Sequence, residues 1–410
     1  MNNALNNELT FKDFFCLWFG AAISMAEILT GGLLAPYGFK NGLLIIIVGH
    51  VIGVTVLALG GIIGSRERLP ALASTKISFG LYGSYLFSFC NILQLIGWTA
   101  VMIISAARSI NLISKELWNF DQIHFYCLIL GIVILIWILS GKTGFKKINV
   151  LAVSLLFGLT VILSMVVFKD SKLWVPALPL TGPDWGLGLE LNIIMPLSWL
   201  PLIADYTRFA KNTKVGFWGG WIGYFIGSSW MYLVGLGSGI VSNNPDPTNL
   251  MLATNLGFAA LGIVFLATVT TTFLDVYSAG VTFTNIFPRC NEKTVALIVG
   301  GIGTVLAVMA PIEQYQNFLY AIGSIFAPLF AVLLTDYFVL KFGKSIDKAL
   351  LIDWGAITIW VLGIVLYYAL LQTHFCLGAT LPVMIVTGAI NLLIKRRFLT
   401  WKTLKPSLNS

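Results

Sequence analysis

Two carboxylates, Glu27 and Asp275, stand inside long apolar runs. A carboxylate at membrane depth is costly, and it marks either a functional site or a polar clamp between helices. Other polar residues interrupt the same kind of run: Gln94 with Trp98, Ser198 with Trp199, and the cluster Thr268, Thr270, Thr271 and Thr272 just before Asp275. Gln94 and Trp98 are four residues apart and share one helix face. The indole faces of Trp98 and Trp199 can sandwich a flat heterocycle, while Gln94, Glu27, Asp275, Ser198 and Thr272 address its edge. An amide donates and accepts, and a carboxylate accepts from two N–H groups. That set suits an amino-substituted ring better than a sugar. Tryptophan often serves only as an interfacial anchor, and the chain has 13 of them; Trp98, however, falls near the middle of its segment.

A second constellation suits a small hard cation, which takes several oxygen ligands. The hydroxyls of Thr270 and Thr271 and the Ala267 carbonyl are candidates, joined by the Ala22 and Met25 carbonyls if the first segment is broken there. Threonines in membrane helices also bond back to their own carbonyls, and by composition alone that ordinary role is the better account. Glu27 and Asp275 leave the proton open as an alternative coupling ion.

The frame that must position these residues is a membrane protein. Of 410 residues, 58% are apolar and only 10% charged, against roughly 25% charged in soluble domains; mean hydropathy is +0.89. Runs long enough to span a bilayer fall at approximately 12–35, 41–64, 82–108, 123–140, 148–168, 188–207, 215–240, 255–284, 294–310, 315–340, 351–371 and 375–394. With both termini cytoplasmic, 20 of the 25 Lys and Arg lie inside and only Lys40, Arg108, Lys115, Lys169 and Lys172 outside, the bias that sets orientation. The N-terminal MNNALNNELTFKDFF lacks a basic n-region and a cleavage site, so the first segment is expected to remain.

The first segment contains GAAISMAEILTGGL at Gly20–Leu33, whose small residues, Ser24, Thr30 and Gly31–Gly32 forbid an uninterrupted membrane helix. Five segments later Pro196 and Pro201 punctuate LNIIMPLSWLPLIADYTRF, predicting a second break or sharp kink. Breaks in matching positions predict one all-α transporter domain over 1–410. It comprises an inverted repeat of five plus five helices, about 12–168 and 188–340, with two extra helices at about 351–394. Asp205, beside Arg208, and Asp336, before Lys341, lie near cytoplasmic helix ends and read as structural or gate-side charges. Five scattered cysteines and the separated His50, His124 and His374 suggest neither a disulfide framework nor a metal centre. No enzyme motif is present, the basic residues sit in membrane-flanking loops rather than in a nucleic-acid patch, and no loop can hold an ATPase. Transport is therefore expected to be passive or ion-driven.

Several stretches then carry a resemblance: TGG at Thr30–Gly32, SFGLYGS at Ser78–Ser84, QLIGW at Gln94–Trp98, IADYTRFAKN at Ile203–Asn212, the TT and YSAG of Thr270–Gly280, and APLFAVLLTDYF at Ala327–Phe338. In this order they resemble the nucleobase–cation symporter-1 family, its cytosine permeases and hydroxymethylpyrimidine transporters in particular. The resemblance implies a leucine-transporter-like fold with helices 1 and 6 broken, and sodium-coupled, alternating-access uptake across a bacterial inner membrane. It implies ring stacking by Trp98 and an aromatic of segment six, for which Trp199 is the nearest equivalent although PLSWLP departs from the family pattern. It implies sodium at Thr270 and Thr271 with carbonyls of segments one and eight. Cytosine permeases carry asparagines where this chain has Thr272 and Leu274, and a serine where it has Glu27. The extra carboxylates favour an aminopyrimidine, hydroxymethylpyrimidine best. Cytosine, a purine, hydantoin or allantoin with proton coupling is the alternative, and an amino-acid or amine carrier of the same fold a more distant one.

Overall fold

The computed structural model describes residues 8–140, 154–155, 157–158, 160–175, 182–246, 248, 257–309, 315–341, 346 and 349–403; some side chains at helix ends and in 257–270 are excepted. Among these residues helices are the regular secondary structure, joined by short turns, with one isolated bridge between Leu9 and Ala210. Seven helical stretches among them are long and apolar enough to cross a membrane. Large apolar side chains such as Leu393, Val365 and Ile136 face outward, as a surface solvated by lipid requires.

The first segment divides in two. α1 (Phe11–Ala22) is started by a capping box in which Thr10 and Asp13 satisfy each other's backbone donors. It stops because Ile23 and Ser24 leave helical conformation, at φ −79°, ψ 87° and φ −143°, ψ 159°. Ser24 then accepts a 3.3 Å bond from the Glu27 amide and so caps α2 (Met25–Gly32). The sequence supplies both halves of this device, a serine that prefers to cap and small residues that let another backbone close in.

The chain continues through α3 (Gly38–Glu67), the short α4 (Ala71–Ser74), α5 (Lys76–Trp118), α6 (Ile123–Ser140) and a described helical piece α7 (160–167). α8 (Gly182–Ser198) and α9 (Leu200–Thr207) together make the proline-bearing sixth segment. Here the interruption is gentler than two prolines predict. Only Trp199 separates the helices, it stays right-handed at φ −87°, ψ −8°, and its carbonyl still accepts from the amides of Leu202 and Ile203. Pro201 costs little because it sits in the first turn of α9, where its missing amide has no helical partner to lose. α10 (Thr213–Ser242), α11 (Gly257–Ile286), α12 (Glu292–Met309), α13 (Tyr315–Leu334, running into a π turn Thr335–Val339), α14 (Trp354–Gln372) and α15 (Thr380–Thr403) complete the set.

What brings α1 and α2 close to α10 is a ladder of glycines spaced by four. A Cβ on Gly223 would meet the Phe15 carbonyl oxygen at 2.6 Å, and one on Gly227 the Phe19 carbonyl oxygen at 3.0 Å. Farther along, a Cβ on Gly235 would meet the Ile28 carbonyl oxygen at 1.9 Å, and one on Gly239 that of Gly32 at 2.8 Å. Small residues at this spacing let helix backbones touch, the usual way helices associate where lipid removes the hydrophobic driving force. The ladder skips position 231, where Met231 is fully buried between the rungs that serve α1 and those that serve α2.

Three buried acids hold the periphery. Glu190 on α8 accepts four bonds: from Tyr367 Oη (2.6 Å), the amides of Ala379 (2.7 Å) and Thr380 (2.8 Å), and Thr380 Oγ1 (2.6 Å). It thereby caps α15 from another helix. Glu190→Gln replaces an acceptor oxygen by an NH₂ facing these donors; we expect a loss of about 1–3 kcal/mol, read as a lower thermal midpoint in detergent. An unchanged midpoint would remove the cap assignment. Asp336 accepts from Asn391 Nδ2 at 2.7 Å and pairs with Lys395 at 2.6 Å rather than with Lys341. Asp205 accepts from the Ala71 amide at 3.0 Å, at the head of α4. Both geometries agree with structural roles for these two acids at the helix ends.

Candidate functional site

The break after α1 opens onto a small cavity that α2, α5, the α8–α9 junction and α11 enclose. Ser24, Ala26, Glu27, Trp98, Met102, Met195, Ser198, Trp199, Leu202, Thr271 and Asp275 line it. Five of the seven residues expected to address a ring therefore meet here: Glu27, Trp98, Ser198, Trp199 and Asp275. The free volume is about 20 Å³, room for roughly one water. A flat ring can occupy it only after lining side chains or helices shift.

The two tryptophans are held edge-on by other rings. Trp98 packs against Phe318 at 5.3 Å and Tyr315 at 6.2 Å between centroids, and Trp199 stands at 89° to Trp18 at 6.0 Å. T-shaped contacts of this kind fix ring orientation and leave indole faces for a guest. Tyr315 also ties α13 to α2: its hydroxyl lies 3.0 Å from Thr30 Oγ1, which itself donates to the Ala26 carbonyl at 2.6 Å.

The polar residues divide into satisfied and unsatisfied groups. Gln94 does not line the cavity; its Nε2 donates 2.8 Å to the Ser198 carbonyl, so it props the α8–α9 junction, and its Oε1 is buried without a partner. Thr272 also lies outside the cavity lining, fully buried with an unpartnered Oγ1. Glu27 is fully engaged: Tyr224 Oη donates to one oxygen at 2.7 Å, and Ser228 Oγ shares a hydrogen bond with the other at 2.6 Å. Asp275 differs. It is 3% exposed and, among the described residues, no group hydrogen-bonds its carboxyl. A buried carboxyl without a donor is expensive, and here it faces the cavity.

For the cation constellation, Thr271 brings a buried Oγ1 without a partner to the cavity wall. Ala22 ends α1, and the carbonyls of a helix's last turn have no helical partners of their own; Met25 is the first residue of α2, where that argument does not free its carbonyl. α11 packs against both α1 and α2. The donor set present is thus hydroxyl and carbonyl oxygen, the chemistry a hard monovalent cation takes. The side chains of Ala267 and Thr270 lie outside the described residues.

Sequence reasoning passed over Tyr224, Ser228 and His50. The signal was available for His50, since a histidine in an apolar run is as much an outlier as Glu27. No local pattern announces Tyr224 or Ser228, which reach Glu27 across 197 and 201 residues of sequence.

The chain is similar along most of its length to proteins already known. A family profile described as permease for cytosine/purines, uracil, thiamine, allantoin matches residues 6–394. The cytosine permease of Escherichia coli K12 is 26% identical over 397 residues, covering 94% of this chain and 90% of the permease. The hydantoin permease of Microbacterium maritypicum is 22% identical, covering 92% and 83%. Among solved structures, Mhp1, a nucleobase-cation-symport-1 family transporter, in a closed conformation with bromovinylhydantoin bound, superposes with a TM-score of 0.78 at 15% identity. That match covers 97% of this chain and 95% of Mhp1. A Na⁺-coupled sialic acid symporter follows at 0.65 and 14%, covering 94% and 88%.

Proposed function

Since the chain belongs to the family of permeases for cytosine, purines, uracil, thiamine and allantoin, and is thus a multi-pass membrane transporter and not an enzyme, we propose that it imports an amino-substituted pyrimidine, with hydroxymethylpyrimidine as the leading candidate. The observation that carries this reading is Asp275: a buried carboxyl with no donor among the described residues, in a cavity bounded by Trp98 and Trp199. A ring carrying an exocyclic amine supplies the missing donor while the indoles cover its faces. Cytosine also has an exocyclic amine; uracil and hydantoin offer Asp275 only ring N–H groups.

In this reading uptake proceeds by sodium symport and alternating access. Thr271, with Thr270, Ala267, Ala22 and Met25, holds the ion beside the break between α1 and α2. Twelve membrane helices in a five-plus-five inverted repeat with two added helices, and both termini on the cytoplasmic side of a bacterial inner membrane, form the frame. The unpartnered Thr271 hydroxyl and the interruption at Ile23–Ser24 support this assignment.

Competition uptake tests it. Cells making the protein take up labelled hydroxymethylpyrimidine, and unlabelled cytosine, uracil, allantoin and amino acids compete, with and without a sodium gradient. We expect competition in the order hydroxymethylpyrimidine, cytosine, then uracil and allantoin, and loss of accumulation without sodium. Competition by amino acids alone would overturn the ring site. Accumulation that ignores sodium and collapses with an uncoupler would move the coupling ion to the proton.

A further inference from the structure

Glu27 faces the cavity on one side and a chain of buried polar groups on the other. His50 on α3 lies with Nδ1 3.0 Å from the Ile46 carbonyl oxygen and Nε2 2.6 Å from Ser228 Oγ; Ser228 Oγ is in turn 2.6 Å from Glu27 Oε2. All three residues are buried. Counting hydrogens constrains the chain. A carbonyl oxygen can only accept, so Nδ1 carries a hydrogen. The two remaining contacts each need one hydrogen, and the serine hydroxyl has only one. The second must sit on His50 Nε2 or on Glu27 Oε2. Without it, two acceptors would face each other at 2.6 Å in a buried site.

We propose that His50, Ser228 and Glu27 form a proton store: together they bind one proton, which moves between Glu27 and His50 according to what occupies the cavity. The transfer balances within the three residues. The Glu27 Oε2–H bond breaks as its proton goes to Ser228 Oγ, while the Ser228 Oγ–H bond breaks as its own proton goes to His50 Nε2. Glu27 becomes a carboxylate, His50 an imidazolium, and the cluster stays neutral overall.

The neighbours fit both forms. Tyr224 Oη donates to the free Glu27 oxygen in either state. Asn192 on α8, with an unpartnered Oδ1, lies beside the His50 ring, and the negative end of its amide dipole favours an imidazolium there although both ring N–H groups are already committed. Tyr232 stands edge-on to the imidazole at 4.7 Å, its own hydroxyl committed to the Leu191 carbonyl. Tyr315 on α13 faces Glu27 with its hydroxyl at Thr30, and Asp275 on α11 lies on the same cavity wall. A neutral cluster avoids the cost of a lone charge at membrane depth. It still allows a carboxylate to appear when a ring with N–H donors arrives, with its counter-charge two hydrogen bonds away.

The ligand-driven half of this inference rests on the cavity being the substrate site; the stored proton does not. Infrared and ¹⁵N NMR spectra of the full-length protein in lipid nanodiscs test both. In ligand-free protein at neutral pH we expect a protonated-carboxyl band that disappears in Glu27→Gln, together with a neutral His50 imidazole assigned by its loss in His50→Gln. A Glu27 carboxylate beside a neutral imidazole would overturn the store. Adding hydroxymethylpyrimidine should erase the carboxyl band and raise an imidazolium signal in equal amount, with no proton released to an indicator dye. In His50→Gln the band should persist after addition. The same spectral change in Ser228→Ala as in wild type would overturn the relay. Failure of the compound to bind, by calorimetry, sinks the substrate reading, while the ligand-free spectra still decide the store. A melting curve on each variant separates these outcomes from misfolding.

Discussion

Asp275→Asn is expected to cut uptake of an amino-substituted pyrimidine by about 10- to 150-fold in kcat/KM while leaving the protein as stable as wild type or more so. The two halves of this result have one cause. Asp275 is buried, and no described group donates to it, so without substrate its carboxyl carries a desolvation cost that no described hydrogen bond offsets. Asparagine keeps the shape, cannot ionise, and lowers that cost. When the ring is bound, however, the aspartate accepts from its amine. A hydrogen bond to a charged group contributes about 1.5–3 kcal/mol, which sets the fold-change. An ordinary polar clamp predicts the opposite pattern, with lower stability and uptake lost only in proportion to folded protein. Uptake normalised to the amount in the membrane, set beside a thermal midpoint in detergent, separates the two. A less stable variant with wild-type kcat/KM would end the assignment of Asp275 to the substrate.

How much of this was legible in the sequence differs between fold and site for a physical reason. The break in the first segment is a local event: Ser24 caps its own helix, and Ile23 and Ser24 leave helical conformation next to small residues, so the string GAAISMAEILTGGL contains its cause. The gathering of Trp98, Trp199, Glu27 and Asp275 was likewise foreseeable, because polar and aromatic groups at mid-segment must face protein instead of lipid. The gentle junction at Trp199 was not. Proline chemistry says that a helix is disturbed, but neighbouring helices decide by how much, and Gln94 reaching the Ser198 carbonyl is a tertiary fact. Glu27 shows the same limit most clearly. From sequence it is a carboxylate available to a ligand; in the fold Tyr224 and Ser228 take both its oxygens. Asp275, on the same cavity wall, has no such donors among the described residues.

Gly235→Ala should be the most damaging single methyl in the protein's α10 face, and Gly301→Ala a harmless counterpart. A Cβ at Gly235 would lie 1.9 Å from the Ile28 carbonyl oxygen and 2.8 Å from the carbonyl carbon, both backbone atoms of α2, whereas a Cβ at Gly301 meets nothing within 4 Å. A side chain in the way can swing aside; a helix backbone must be pushed back whole. Overpacking of this kind costs about 1–3 kcal/mol and occasionally more. The displaced helix is the one that presents Glu27 to the cavity and carries Thr30 to Tyr315. We therefore expect a thermal midpoint several degrees lower and uptake reduced beyond what lost protein explains. At Gly301 alanine should be neutral or slightly stabilising, since glycine inside a helix costs roughly 0.5–1 kcal/mol relative to alanine. The pair controls for composition and helix propensity, leaving contact with α2 as the main difference. Equal midpoints for the two variants would mean that α2 and α10 do not touch backbone to backbone. The glycine ladder would then be no more than the glycine abundance common to membrane helices.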